Sequence, residues 1–182
     1  FATQVEAETR FLRAFYHLEL VKMFDYVPYM TEDLETDLIS NTPPSGAPID
    51  GNLPWSEQEF GGGDIPWEPL EADLQFAFDN LPVDPRNGEV GRATKGAASS
   101  FMAKVLMYQG RYSDAVPFLD NVINSGKYSL TENFHDNFRI SGDNNSESIL
   151  QVQNSVNDGS GAGYNANYGD ILNFPYTGGP GQ

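Results

Sequence analysis

The sequence predicts a mainly α-helical fold, built from paired helices that are joined by long irregular loops and accompanied by at most a short strand. Three observations support this prediction. Apolar residues recur with the 3.6-residue period of a helix in four separate segments. Small residues occupy the contact positions of the last two of these segments. Most of the 18 glycines and 12 prolines lie between or after the helical segments, where they interrupt regular structure.

The first helix is predicted over residues 4–24. Its apolar face, spaced i, i+3, i+4, i+7 and widened on one side, comprises Phe11, Leu12, Ala14, Phe15, Tyr16, Leu18, Val21 and Met23. A face this wide predicts burial on two sides of the helix. The remaining stripe carries Arg10, Arg13 and His17, so we expect His17 to be half exposed and to have no catalytic role. Glu6 and Arg10 are four residues apart in the order that favours an ion pair, worth about 0.3 kcal/mol.

The second helix is predicted to begin near Pro66 and to end before Pro82. A proline is tolerated in the first helical turn, where the N–H groups have no partner within the helix. One face carries the apolar residues Trp67, Leu70, Leu74, Ala77, Phe78 and Leu81. Since Trp67 lies on this face, we expect it in the core and not on a ligand-binding surface.

A long loop over residues 31–63 is predicted to separate these two helices. It is acidic at first and then rich in proline and glycine, with neither helical nor strand periodicity. Loops of this length in compact domains are often functional or disordered. Trp55 lies in the polar, glycine- and proline-bearing part of this loop, so it is the first candidate for a ligand-facing aromatic residue. The alternative is that Trp55 fills a gap on the helices.

The third and fourth helices are predicted to form an antiparallel hairpin. Thr94 is the expected N-cap of the third helix and Gly110 its stop, while Ser113 is the expected cap of the fourth, which Gly126 ends. The residues predicted to face inward are Ala98, Phe101, Met102, Val105, Tyr108, Ala115, Leu119 and Val122.

The small residues of this hairpin match the tetratricopeptide pattern, whose period is about 34 residues. Ala103 and Ala115 lie at the two positions where paired helices approach closely, and Gly110 and Tyr112 lie at the turn. A bulky side chain at either alanine would hold the helix axes apart. The first and second helices would form another pair of this kind, divided by the long loop.

The C-terminal part of the sequence is less regular. Residues 148–153 predict a short strand. Residues 154–182 contain seven glycines, and their tyrosines Tyr164, Tyr168 and Tyr176 are second-ranked ligand candidates. This region predicts either a disordered tail or a loop that packs on residues beyond the sequence. We therefore expect a helical region over residues 1–153 and a loop region over residues 154–182, with further sequence missing at both ends.

The charge distribution argues against a nucleic-acid partner. The formal net charge is −16, no Lys or Arg lies between Lys22 and Arg86, and none follows Arg139. Binding to phosphate backbones requires clustered cations. We expect most of the carboxylates to keep an exported protein soluble. The chain has no cysteine, which excludes disulfides and thiolate metal sites.

The familiar chemical motifs are incomplete in this sequence. Residues 91–96 have the glycine spacing of a phosphate-binding loop, but Ala97 stands where the lysine is needed. Residues 143–147 resemble the opening of a calcium loop, but Ser148 replaces its turn glycine, so a polar turn is favoured over a weak cation site. No carboxylate pair or nucleophile is singled out. We predict no catalytic residue, no metal and no cofactor.

Several short blocks of the sequence, taken in order, point to a known family. They are residues 8–16 (ETRFLRAFY), 27–28 (VP), 70–74 (LEADL), 91–98 (GRATKGAA), 126–130 (GKYSL) and 147–149 (ESI). Together they resemble the SusD/RagB family of glycan-capture lipoproteins over residues 7–152. Because the matched blocks are structural, the resemblance assigns no ligand-binding residue.

The resemblance implies a function as well as a fold. It implies a glycan-binding lipoprotein on the extracellular face of the outer membrane, attached only through a lipid anchor outside this segment. Its partner would be a SusC-like TonB-dependent transporter, to which it delivers oligosaccharides without catalysis. Two alternatives remain at this point, namely a generic tetratricopeptide scaffold that binds peptides and a helical glycosidase.

Overall fold

The computed structural model describes residues 1–24, 27, 29 and 66–153. Within these ranges the chain forms four α-helices: α1 (Ala2–Phe24), α2 (Trp67–Asn80), α3 (Lys95–Tyr108) and α4 (Tyr112–Asn124). One short 3₁₀ turn, Arg86–Gly88, lies between α2 and α3, and two more, Phe134–Phe138 and Ile140–Gly142, follow α4. The fold is mainly α, as the sequence predicts.

The helices pack in the order of the chain. Helix α1 lies against α2, α2 against α3, and α3 against α4, while α1 also contacts α3. Residues 1–150 form one compact unit, and residues 151–182 form a second, of which only residues 151–153 are described. No helix in the described ranges combines the length and the apolar character needed to cross a membrane.

The core of the first unit is formed by one face of each helix. Its largest fully buried apolar side chains are Phe11, Leu18, Leu70, Leu74 and Val105. The Phe11 ring meets the Phe101 ring edge-on, with centroids 5.4 Å apart. Burying each large apolar side chain of this kind stabilises the fold by about 1.5 to 3 kcal/mol. Trp67 is half-buried and packs against this core, as its position on the apolar face predicts.

The α3–α4 hairpin is turned by glycine. Gly110 has φ = 74°, a left-handed conformation that costs other residues a steric penalty, and Arg111 N donates to Leu106 O at 2.9 Å. Thr94 caps α3 by accepting a hydrogen bond from Ala97 N at 3.2 Å. Ala103 and Ala115 are each only 1% exposed. The predicted cap, stop and buried small residues are confirmed.

The predicted cap of the fourth helix is wrong. Helix α4 begins at Tyr112, its N-cap is Arg111, and no side chain caps it. Ser113 therefore lies inside the first turn. Because Gly110 reverses the chain sharply, the helix begins one residue before the serine that resembles a cap.

Several side chains predicted to be buried are exposed in the described unit. Leu12, Tyr16 and Met23 on α1, Tyr108 on α3 and Leu119 on α4 are all exposed. Helix α1 is covered only on the side that faces α2 and α3, so the prediction that two of its sides are buried is wrong for the described residues. Periodicity identifies an apolar arc, but it does not say how much of that arc a neighbour covers.

The short strand predicted over residues 148–153 is absent. This segment has neither strand nor helix, although Ile149 and Leu150 pack against the core. A strand needs a partner for its backbone groups, and the described ranges contain no other strand with which it could pair. Instead, Ser148 N donates to Asn145 O in a tight turn. Burial of the two apolar side chains therefore accounts for the pattern that resembles a strand.

Candidate functional site

The residues that the sequence singles out for ligand binding are Trp55, Tyr164, Tyr168 and Tyr176. All four lie outside the described residues. The described scaffold nevertheless fixes Tyr29, next to the predicted loop, and it contains a groove of its own. Both features depend on polar contacts that sequence periodicity does not reveal.

A buried carboxylate ties α1 to α2 near the start of the predicted loop. The Asp73 side chain, 3% exposed, accepts hydrogen bonds from Arg13 Nε at 2.5 Å and Arg13 Nη2 at 2.8 Å. Tyr29 Oη donates to the same carboxylate at 2.5 Å. Arg10 Nη1 lies 3.5 Å from Asp73, and its guanidinium stacks on the Phe76 ring at 4.3 Å.

Tyr29 and His17 complete this Asp73 network. His17 Nδ1 donates to Arg13 O at 2.8 Å, and its ring lies 4.2 Å from the Tyr29 ring. Burial raises the pKa of Tyr29 well above its ordinary value, and the hydrogen bond to Asp73 raises it further. The expectation that His17 is half exposed is wrong, because it is buried where α1 faces α2. The Asp73 network thus fixes Tyr29 two residues before the predicted loop.

A second polar network organises the calcium-loop-like stretch. Glu147 accepts hydrogen bonds from Thr131 N at 2.7 Å, Thr131 Oγ1 at 2.9 Å and Asn137 Nδ2 at 2.7 Å. The Thr131 backbone hydrogen bond is the main cause that lowers the pKa of Glu147 below its ordinary value. The described ranges contain no group of three or more His, Cys, Asp or Glu side chains that could hold a metal ion. The hydrogen bonds of Glu147 are those of a polar turn, the reading that the sequence favours.

An open groove runs between the start of α3, the second half of α4 and the chain that follows α4. We call it the α3–α4 groove, and its cavity volume is about 550 Å³. Its polar lining includes Lys95, Asp120, Asn121, Asn124 and Lys127, with Tyr128 as its aromatic residue. Its volume falls within the range of about 300 to 1,000 Å³ that is usual for small-molecule sites.

Tyr128 lies against the first turn of α3, and Gly96 makes this possible. A Cβ atom on Gly96 would lie 2.4 Å from Tyr128 Oη and 2.8 Å from its Cε2, closer than atoms can approach. Tyr128 Oη also lies 3.4 Å from Thr94 Oγ1, the oxygen of the α3 cap. The sequence contains both residues in blocks of the SusD/RagB resemblance, but only the fold shows that they touch.

Comparison with known proteins places this fold among SusD-like proteins, although no protein-family model matches the chain. SusD-like protein P2 from Formosa agariphila is 30% identical over 127 residues, which cover 66% of this chain and 21% of that protein. The structure of a laminarin-binding SusD-like protein is 32% identical, with a TM-score of 0.63, and the match covers 82% of this chain and 30% of that one.

A second solved structure is also similar in fold to this chain. A SusD-like protein from Bacteroides fragilis matches with 25% identity and a TM-score of 0.62, over 86% of this chain and 28% of that protein. The chain thus spans between about a fifth and a third of the length of these relatives. In sequence and in fold the chain is similar to SusD-like proteins, which confirms its resemblance to the SusD/RagB family.

Proposed function

We propose that this protein captures oligosaccharides at the cell surface and delivers them to a SusC-like TonB-dependent transporter for nutrient uptake. The observation that carries the proposal is the similarity to a laminarin-binding SusD-like protein, which is 32% identical and matches 82% of this chain. The proposed location is the extracellular face of the outer membrane, reached through a lipid anchor outside this segment.

The proposed ligand contacts are the aromatic residues of the long loops, Trp55 first and Tyr164, Tyr168 and Tyr176 after it. Pyranose rings present C–H faces that pack on aromatic rings, while their hydroxyls take hydrogen bonds from polar side chains. The Asp73 network supports this role, because it holds Tyr29 in place two residues before the predicted loop.

We propose that the protein acts by binding alone. Glycoside hydrolysis needs two carboxyl groups that flank the scissile bond, one of them as an acid and the other as a base or nucleophile. Two of the less exposed carboxylates in the described scaffold are engaged by arginines: Asp73 by Arg13, and Glu8 by both Arg86 and Arg92 at 2.9 Å. These ion pairs support a structural role for both carboxylates.

A glycan panel tests this proposal. The full-length protein is titrated by calorimetry with laminarihexaose, cellohexaose, maltohexaose and mannohexaose, and each mixture is then assayed for reducing ends. We expect saturable binding of at least one hexasaccharide with no release of reducing ends. Absence of binding to every hexasaccharide would contradict glycan capture. Steady release of reducing ends, abolished by one Asp or Glu substitution, would instead indicate a glycosidase.

A further inference from the structure

We propose that the α3–α4 groove is a second saccharide-binding site, which takes a short stretch of neutral oligosaccharide on the helical scaffold itself. This inference rests on the proposed function, but it places the ligand away from the predicted loop residues. Four features of the described residues support it, namely free hydrogen-bonding groups, a fixed aromatic ring, apolar edges and a balance of charge.

The hydrogen-bonding groups of the groove come from one face of α4. Asp120, Asn121 and Asn124 are spaced i, i+1 and i+4, and all three are exposed. None of them makes a side-chain hydrogen bond or ion pair to another described residue. Two carboxamides and a carboxylate offer both donors and acceptors. Such a set suits vicinal hydroxyl groups, each of which donates and accepts.

Tyr128 supplies the aromatic surface. It is half-buried, and its contacts with Gly96 and Thr94 hold the ring against the first turn of α3. An aromatic ring that is already fixed loses little conformational freedom when a ligand packs on it. Val83 and Pro117 add apolar edges to the same groove. The combination of one ring, small apolar edges and several free polar groups is typical of small-molecule sites.

The charges of the groove favour a neutral ligand. Its two lysines are both engaged: Lys127 forms an ion pair with Asp84, and Lys95 Nζ lies 4.6 Å from the centre of the Phe78 ring. The hydrogen bond to Asp84 raises the pKa of Lys127 above its ordinary value. An anionic ligand would have to compete with Asp84 for Lys127 and would lie beside Asp120, so a neutral sugar is the better fit.

The test compares two double variants of the full-length protein. Asn121→Ala/Asn124→Ala removes both carboxamides from the groove, and alanine is favourable in an exposed helix. The matched control, Gln75→Ala/Asp79→Ala, removes two polar groups from an exposed face of α2 that does not line the groove. Each protein is titrated by calorimetry with the four hexasaccharides of the panel, and its thermal unfolding is measured alongside.

We expect the groove variant to bind the best-bound hexasaccharide about tenfold more weakly than the wild type, with an unchanged melting temperature. The control variant should bind it with the affinity of the wild type. Tyr128→Ala should weaken binding as well, while Tyr128→Phe, which keeps the ring, should not. If the wild type binds and the groove variant binds equally well, the groove proposal is overturned and glycan capture stands. If the wild type binds no hexasaccharide, both proposals are overturned.

Discussion

Asp73 shows how a single buried residue organises this scaffold. It lies on the buried face of α2 beside Leu70 and Leu74, where an apolar side chain is expected. The free-energy cost of burying this carboxylate is offset by hydrogen bonds from Arg13 and Tyr29. Arg13 and Asp73 are sixty positions apart in the sequence. Periodicity predicts which face of α2 is buried, but it cannot identify a partner so distant. The prediction that His17, on the same stripe of α1 as Arg13, is half exposed is wrong, because His17 is buried.

Removing this carboxylate should destabilise the protein far more than removing an exposed one. For Asp73→Ala we expect a loss of about 3 to 5 kcal/mol in the free energy of unfolding, because Arg13 and Tyr29 lose a buried acceptor. The control is Glu6→Ala, which breaks the exposed Glu6–Arg10 pair of 2.7 Å and should cost less than about 1 kcal/mol. Urea denaturation of both variants measures the difference. Equal losses would show that the Asp73 network is not a major stabilising element.

Among the elements, the α3–α4 hairpin is the one that the sequence specifies best. Ala103, Gly110 and Ala115 determine the close helix contact and the turn, and the structure confirms all three. The outer side of α4 is predicted less well. Leu119 is exposed in the described unit, together with Tyr112, Val116 and Ile123 on the same side of the helix. The apolar arc of α4 is wider than the surface that α3 covers, and local periodicity cannot separate the two parts of that arc.

Enlarging the small residue at the helix contact tests this hairpin. Ala103→Leu should overpack the interface between α3 and α4 and reduce the free energy of unfolding by about 1 to 3 kcal/mol. The matched control is Ala72→Leu, an identical change at an exposed position of α2, which should leave stability nearly unchanged. Denaturation midpoints of the two variants measure the effect. An unaltered midpoint for Ala103→Leu would count against close packing at that position.

At the scale of the whole molecule, the proposed loop contacts lie in different parts of the sequence from the scaffold, whereas the α3–α4 groove lies on the scaffold itself. The fold class and the SusD/RagB resemblance could be predicted because helical periodicity and ordered structural blocks are local signals. The groove could not be predicted from the sequence, because the contact between Gly96 and Tyr128 joins the start of α3 to the chain beyond α4. The role of Trp55 could not be predicted from the sequence either, because the predicted loop has no periodicity that indicates the direction of a side chain.

The most direct test of glycan capture by loop aromatics on a helical scaffold is calorimetric titration of the full-length wild type and Trp55→Ala. Thermal unfolding of both proteins is measured beside it, using the hexasaccharide that the wild type binds best. We predict saturable binding by the wild type and a loss of about 1 to 3 kcal/mol in the binding free energy for Trp55→Ala, by analogy with other aromatic stacking, with little change in melting temperature.

Two other outcomes would contradict this account. A loss of about 3 to 5 kcal/mol in stability with unaltered affinity would show that Trp55 fills a gap on the helices and does not hold the ligand. Absence of saturable binding by the wild type to every hexasaccharide would contradict the central claim that this protein captures glycans.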